Sequence, residues 1–287
     1  MELRCMKTII YTWSVKVNNL VMTNEHNYWG LGDIIRGMVS TGLFCEHNQY
    51  EYIIDTSLHP ASSWLTDTTH SHTELIKIKN VTFIPNNPLD GLSTYIQTNQ
   101  TNVITLMTNA FIPDGSVISQ YVQDKVKHAI SLKPKYNNKL ERIKGTLNLP
   151  NDYNILHFRL GDRGFGTDST GNQIGYEHEQ LDNYDQVVSI IDSHDFENTL
   201  IMSDSQQLKN YIKKHRPHAK MYSTTRIAHV GRPDHTDNML DTLLEFHLAT
   251  GSKQIFTHSV YGHPSGFVNA CALLYNIDVI NTPFFNV

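Results

Sequence analysis

Short apolar runs alternate with amphipathic stretches along nearly the whole chain, and that alternation predicts an α/β protein. In the first half, apolar runs predict strands over Lys7–Thr12, Glu51–Asp55, Val81–Ile84 and Val103–Met107. In the second half they predict strands over Asn154–Leu160, Thr199–Ser203, Ala219–Tyr222, Gln254–Thr257 and Asp278–Ile280. Helical spacing predicts helices over Asp33–Phe44, Val117–Ile130, Asn137–Leu147, Glu177–Ile191, Gln206–His215, Thr236–Ala249 and Gly266–Tyr275. From Asn154 onward strand and helix alternate almost without interruption, as a Rossmann-like parallel sheet requires. The first half alternates less cleanly. Its segment 59–102 is rich in Thr, Asn, Ser and Pro, lacks a strong period, and reads as a loop-rich insertion.

Pro134 disfavours helix at Lys133 and removes a backbone donor, so a domain boundary is placed there. The expected architecture is an N-terminal Rossmann-like domain over 1–133 and a C-terminal one over 134–287, facing across a crevice. Open α/β sheets take their ligands at the carboxyl ends of their strands, which would face such a crevice.

Composition narrows the chemistry. The 287 residues carry 23 Lys plus Arg against 28 Asp plus Glu, a formal net charge of -5, which argues against a protein whose main business is coating nucleic acid. Three cysteines (Cys5, Cys45 and Cys271) stand far apart with no CxxC, so a disulfide framework and a zinc ribbon are both disfavoured and a reducing compartment is expected. No run of about 18 apolar residues exists. The N-terminal stretch is broken by Ser14 and Lys16 and resembles a first strand more than a signal's apolar core. The chain reads as a protein of a reducing, cytoplasmic compartment without a membrane span.

Four loops at predicted strand ends carry candidate chemistry. In Asn154-Ile-Leu-His157-Phe-Arg159-Leu-Gly161-Asp162-Arg163, alternation puts His157 and Arg159 on one face of an apolar strand that runs into a glycine-rich loop. An arginine there wants an anion: either the diphosphate of a ligand, which its planar fork suits, or Asp162 or another internal carboxylate. In Leu200-Ile-Met-Ser203-Asp204-Ser205, either Asp204 or Ser205 is the cap of the following helix, or Asp204 receives hydrogen bonds from ligand hydroxyls or base nitrogens, or one residue serves both purposes. The third loop, Thr257-His258-Ser259 through Gly262 and Ser265-Gly266, joins a strand to a helix N-terminus and so offers N–H groups to a phosphate. The fourth, Trp29-Gly30-Leu-Gly32-Asp33, follows the first strand. Its glycines permit close approach of a ligand, and Asp33 is either a helix cap or a base facing the crevice. His70, His72 and Glu74 alternate as a strand metal site would, without further obvious ligands.

Taken in order, these motifs resemble those of the α1,2-, α1,6- and protein-O-fucosyltransferases. HFRLGDR looks like their His-x-Arg-x-x-Asp motif, IMSDS like their strand-terminal Ser-Asp motif, THSVYGHPSG like the Ser/Thr-rich motif before their last helix, and NYWGLGD like the glycine-rich loop after their first strand. SLKPKYNNKLERI is similar to their connecting region, and the order agrees over roughly residues 7 to 280. The chain departs from the pattern at Leu160, where a second basic residue is common, and at His258 and Tyr261.

The resemblance implies a GT-B fold, with donor held mainly by the C-terminal domain and acceptor on the N-terminal side. It implies inverting transfer of L-fucose from GDP-fucose to a glycan hydroxyl, with no metal and no other cofactor. By position, Arg159 would stabilise the departing GDP, with His157 and Asp162 in support. Asp204 and Ser205 would sit at the nucleoside end, and His258 and Ser259 near phosphate. Gly30 and Gly32 would border the donor, and Asp33 would be a candidate base beside Glu25 and His26, ahead of Asp67 and Glu74. The rival readings are a GT-B transferase for another nucleotide sugar, a non-catalytic nucleotide- or carbohydrate-binding protein, and a phosphohydrolase or metal-dependent hydrolase using the many histidines, 16 in all.

Overall fold

The structure, a computed structural model, describes residues 7–14, 16–17, 20–21, 29–70, 74–78, 91–112, 116–160, 184–222, 236–259 and 264–283. Along the chain these form β1 (Thr8–Thr12), β2 (Lys16–Val17), β3 (Leu20–Val21), α1 (Leu31–Asn48), β4 (Glu51–Asp55), β5 (Leu75–Ile78), α2 (Gly91–Thr98), β6 (Val103–Thr108), α3 (Gln120–Ile130) and α4 (Pro134–Thr146). There follow β7 (Asn154–Arg159), α5 (Asp185–Asp192), β8 (Thr199–Ser203), α6 (Gln206–His215), β9 (Lys220–Met221), α7 (Thr236–Thr250), β10 (Gln254–Ser259), α8 (Gly266–Tyr275) and β11 (Asp278–Pro283). The described residues divide into two compact units, one ending at Lys133 and the next beginning at Pro134.

The first unit holds a four-stranded parallel sheet in the order β4-β1-β6-β5. Most of α1 is buried against it, because apolar or small residues occupy nearly all of its turns. The helix begins two residues before the expected start, with Gly30 as its cap, and ends at Gln49, whose φ of 57° closes it in the left-handed conformation. Tyr11 on β1 ties helix to sheet: its hydroxyl lies 2.8 Å from the Thr108 carbonyl oxygen and 3.2 Å from that of Ile34. Gly37 makes the close approach possible, since a Cβ there would stand 1.7 Å from the Thr108 carbonyl oxygen.

The segment 59–102, expected to be loop-rich, contains β5, α2 and a 3-10 turn over Pro60–Ser63. Its elements are short. Helix α2 buries only Leu92, Ser93 and Ile96, so its period was lost among the flanking Thr, Asn and Pro. The expected strand Val81–Ile84 lies outside the described residues.

The second unit holds a five-stranded, wholly parallel sheet in the order β11-β10-β7-β8-β9. The chain winds outward from β7 through β8 to β9, then returns to set β10 on the other side of β7. That is the Rossmann order, and the reversal puts the topological switch point between β7 and β10. Leu156 and Phe158 pack with Val187 and Ile191 of α5 and with Leu208 and Ile212 of α6. The opposite face of β7 meets α8 through His157 and Phe267, and Phe267 in turn meets Phe246 of α7 edge-on at 5.4 Å. Helices thus cover both faces, which is why β7 and β8 read as nearly unbroken apolar runs. Helices α6 and α8 coincide with the ranges expected from the sequence. Helix α4 starts at Pro134 itself, where a residue without an N–H costs the first turn nothing.

Candidate active site

The switch point of the second sheet is built by the last residues of β7 and β10, paired as His157 with Thr257, Phe158 with His258 and Arg159 with Ser259. Strand alternation sends His157 and Arg159 to one face and Phe158 to the other. His157 is buried. Its Nδ1 lies 3.0 Å from the Thr257 hydroxyl, and its ring is stacked near Phe267 with centroids 6.2 Å apart. Burial is the main cause that pushes its pKa down to about 4; the Arg159 charge adds to this and the Asp204 carboxylate opposes it. The imidazole is therefore neutral near pH 7 and serves as a hydrogen-bonding strut. His258 faces the other way, stacked on Phe158 at 5.6 Å, and burial lowers its pKa to about 4 as well. Ser259 is buried at the end of β10.

Arg159 closes β7 with its side chain 29% exposed, and its Nη1 donates to Asp204 Oδ2 at 2.5 Å. The other oxygen of Asp204 accepts the Leu160 N–H at 3.0 Å. Of the two sequence readings of Arg159, the structure contains the internal ion pair, with Asp204 as the carboxylate; Asp162 lies outside the described residues. The pairing leaves the guanidinium at the carboxyl end of the strand and orients it. Asp204 is not the cap of α6. Ser205 is, its Oγ accepting the Leu208 N–H at 3.1 Å, while the Ser205 N–H itself is taken by Ser203 Oγ at 3.1 Å. On the next helix, Ser265 caps α8 in the same way.

Sequence reasoning missed one ionic element beside this site. Lys209 of α6 donates to Glu245 of α7 at 3.0 Å, with side chains only 2% and 8% exposed. Burial raises the Glu245 pKa, the Lys209 charge lowers it, and Asp204 is among the groups whose charge it feels. The available signal was a carboxylate inside the apolar run Leu243-Leu244-Glu245-Phe246, which demands a buried cation.

The residues predicted from the first unit gather at the start of α1. Gly30 is the cap and Gly32 is buried within the first turn. Asp33, at the third helical position, accepts the Gly30 N–H at 3.2 Å with one oxygen and pairs with Arg36 at 2.8 Å with the other. Arg36 Nε in turn donates to the Asn109 carbonyl at the end of β6, and the guanidinium stacks over Phe111 at 4.1 Å. Asp67 is 83% exposed and paired with Lys133, and Glu74 is exposed. Glu25, His26 and His72 lie outside the described residues. Among the described residues no three His, Cys, Asp or Glu side chains converge as a metal site requires, and no helix is long and apolar enough to cross a membrane.

No family model matches the chain, and no curated protein matches it. Solved structures do. A NodZ α-1,6-fucosyltransferase soaked with GDP-fucose superposes with a TM-score of 0.51, at 12% identity, over 94% of this chain and 92% of its own. The fucosyltransferase NodZ from Bradyrhizobium gives 0.50 at 10% identity over 94% and 93%. A mutant of Arabidopsis thaliana FUT1 in complex with GDP gives 0.50 at 11% identity, over 96% of this chain and 70% of that one. The chain has a fucosyltransferase-like fold. With identities this low, the likeness lies in how the strands are wound and not in shared side chains. It is the fold expected from the order of the four motifs. Within the fucosyltransferase-like fold, the β7–β10 switch point is where the second unit gathers its charged and hydroxyl-bearing strand ends.

Proposed function

We propose that this protein is a glycosyltransferase that moves a sugar, L-fucose from GDP-fucose, to a glycan hydroxyl with inversion and without a divalent metal. One observation carries the reading: Arg159 closes the central strand at the switch point of a Rossmann-ordered sheet with 29% of its side chain exposed even while it is paired with Asp204. The fold it shares with proteins solved with GDP-fucose and GDP supports it. In the transfer, the bond between the anomeric carbon and the β-phosphate oxygen breaks as the acceptor oxygen attacks from the opposite face. Negative charge builds on the departing diphosphate. Arg159, fixed in direction before the reaction by Asp204, offsets that charge, as do N–H groups at the capped start of α8. The acceptor hydroxyl's proton passes to a base or to solvent, and Asp33, paired with Arg36 in the first unit, is a candidate for that role. Neutral His157 holds β7 to β10 beneath the arginine.

The test is a thermal-shift titration with GDP, UDP and ADP, followed by measurement of nucleotide release from GDP-fucose with and without simple oligosaccharides. A ligand that binds only the folded state raises the melting temperature with concentration. The reading expects GDP to outrank UDP and ADP, GDP release that depends on acceptor, and activity that survives EDTA. Binding of GDP without turnover would favour a non-catalytic nucleotide- or carbohydrate-binding protein. Preference for UDP or ADP would assign another donor.

A further inference from the structure

A cavity lies wholly within the second unit, lined by none of the residues given a role above. Its volume is about 670 Å³, within the range of small-ligand sites. One wall is a face of α4 carrying three cations, Lys135, Lys139 and Arg142; the other is Met221 of β9 and the Tyr222 that follows it. The three cations stand at i, i+4 and i+7, so they share one helix face at steps of about 6 and 4.5 Å. The other basic residue of α4, Lys144, spends its charge on Glu141 at 3.0 Å. Beside the groove, Asp241 accepts the Tyr222 hydroxyl at 2.7 Å and pairs with Lys139 at 3.7 Å, so Lys135 and Arg142 carry most of the groove's positive charge. Lys135 rests over the ring of Tyr136 at 4.7 Å, and neither it nor Arg142 meets a carboxylate among the described residues. A locally cationic groove in a chain of net charge -5 selects an anion.

The rest of the lining says what kind of anion. Tyr136 and Tyr222 offer aromatic surface, and Ile143 and Met221 an aliphatic floor. A bare phosphate uses neither, whereas a pyranose packs its C–H faces on such surface while its acidic substituents meet the cations. A nucleic acid strand needs a broader positive field than this chain supplies. Strand β9 stands two places from β7 in a parallel sheet, so Tyr222 lies on the same carboxyl edge as Arg159, about 10 Å along it by strand spacing.

We propose that this groove holds an anionic oligosaccharide, one carrying carboxylate or phosphate groups. The proposal rests on the reading of the chain as a transferase to glycans, and its test is kept separate from turnover. Binding of four probes is measured by calorimetry: tetragalacturonate, phosphorylated maltotetraose, neutral maltotetraose and a dT10 oligonucleotide. The wild type is expected to bind an acidic tetrasaccharide more tightly than the neutral one and to lose affinity as salt rises. Whichever of the two acidic probes binds better identifies carboxylate or phosphate as the acidic group. The double variant Lys135→Glu with Arg142→Glu changes two exposed side chains. It is expected to weaken that binding about tenfold or more at unchanged melting temperature and unchanged response to GDP. Equal binding of the neutral probe, undiminished binding by the double variant, no binding of either acidic probe, or tighter binding of dT10 overturns the proposal. Failure of the wild type to respond to GDP counts against the donor assignment and leaves these outcomes readable.

Discussion

Arg159 and Asp204 meet across neighbouring strands: Nη1 of the arginine donates to Oδ2 of the aspartate at 2.5 Å, while the Leu160 N–H fills the other carboxylate oxygen at 3.0 Å. The aspartate is the more deeply set of the two, at 9% against 29% exposure. Its carboxylate acts as a rest that fixes the direction of the guanidinium.

That arrangement predicts different outcomes for the two members. Arg159→Ala removes the charge that would meet the diphosphate, and nucleotide release is expected to fall between roughly 30-fold and a few thousandfold. Asp204→Asn keeps the shape and loses the orienting charge, so a smaller fall is expected, with weakened GDP affinity. Arg159→Lys is expected to behave more like the alanine variant than like wild type, because an ammonium lacks the planar fork. Steady-state kinetics of the three variants checks the order, and turnover of Arg159→Ala within about threefold of wild type removes Arg159 from the mechanism.

Acid sensitivity follows from His157. The imidazole stays neutral in the folded protein down to about pH 4, whereas an unperturbed one takes its proton at 6.5. Between those values the unfolded chain binds the extra proton, so stability falls as pH drops through that window, by about 1.4 kcal/mol per pH unit for one such group. His258 pulls in the same direction. Urea melts from pH 7 to 4.5 should show the decline, with a shallower slope in His157→Gln. Equal slopes would mean that the acid sensitivity has another source.

The buried pair of Lys209 and Glu245 predicts strong non-additivity. Lys209→Met strands a buried carboxylate and is expected to cost about 3–5 kcal/mol, as is Glu245→Leu, which strands the ammonium. The double variant is expected to recover most of that loss, since no unpaired charge is left behind. Chemical denaturation of the four proteins completes the cycle, and additive losses would show that the two charges do not depend on each other.

Two glycines in helices predict opposite results for the same substitution. Gly37→Ala places a methyl group 1.7 Å from the Thr108 carbonyl oxygen and 2.7 Å from the Tyr11 hydroxyl. The helix must lift from the sheet, at a cost expected to exceed about 3 kcal/mol. Gly145→Ala meets nothing within 4 Å and is expected to stabilise by up to about 1 kcal/mol. Melting temperatures decide both.

The sequence was most informative where one period ran without competition. Leu208 and Ile212 at i, i+4 announced α6, and the apolar run before Arg159 announced β7. The turn from strand to polar cluster placed Arg159, Asp204 and Ser205 at strand ends. It did not tell which of the last two would cap the helix, because both side chains accept N–H bonds equally well and only backbone geometry chooses. Nor could it pair Arg159 with Asp204, 45 residues apart, since strand order is a tertiary outcome. Lys209 was hidden because one helical turn of Leu-Lys-Asn reads as surface until its carboxylate on another helix is known. Helix α2 and strand β5 were hidden by their brevity.

The in-register union of β7 and β10 has one more implication. Which groups point toward α8 is decided by odd or even position alone. Inserting a single amino acid between Asn154 and Leu156 would swap parity for everything downstream, driving Phe158 to where the imidazole and guanidinium now stand and pushing both into oil. The polarity of this strand end is therefore a matter of counting.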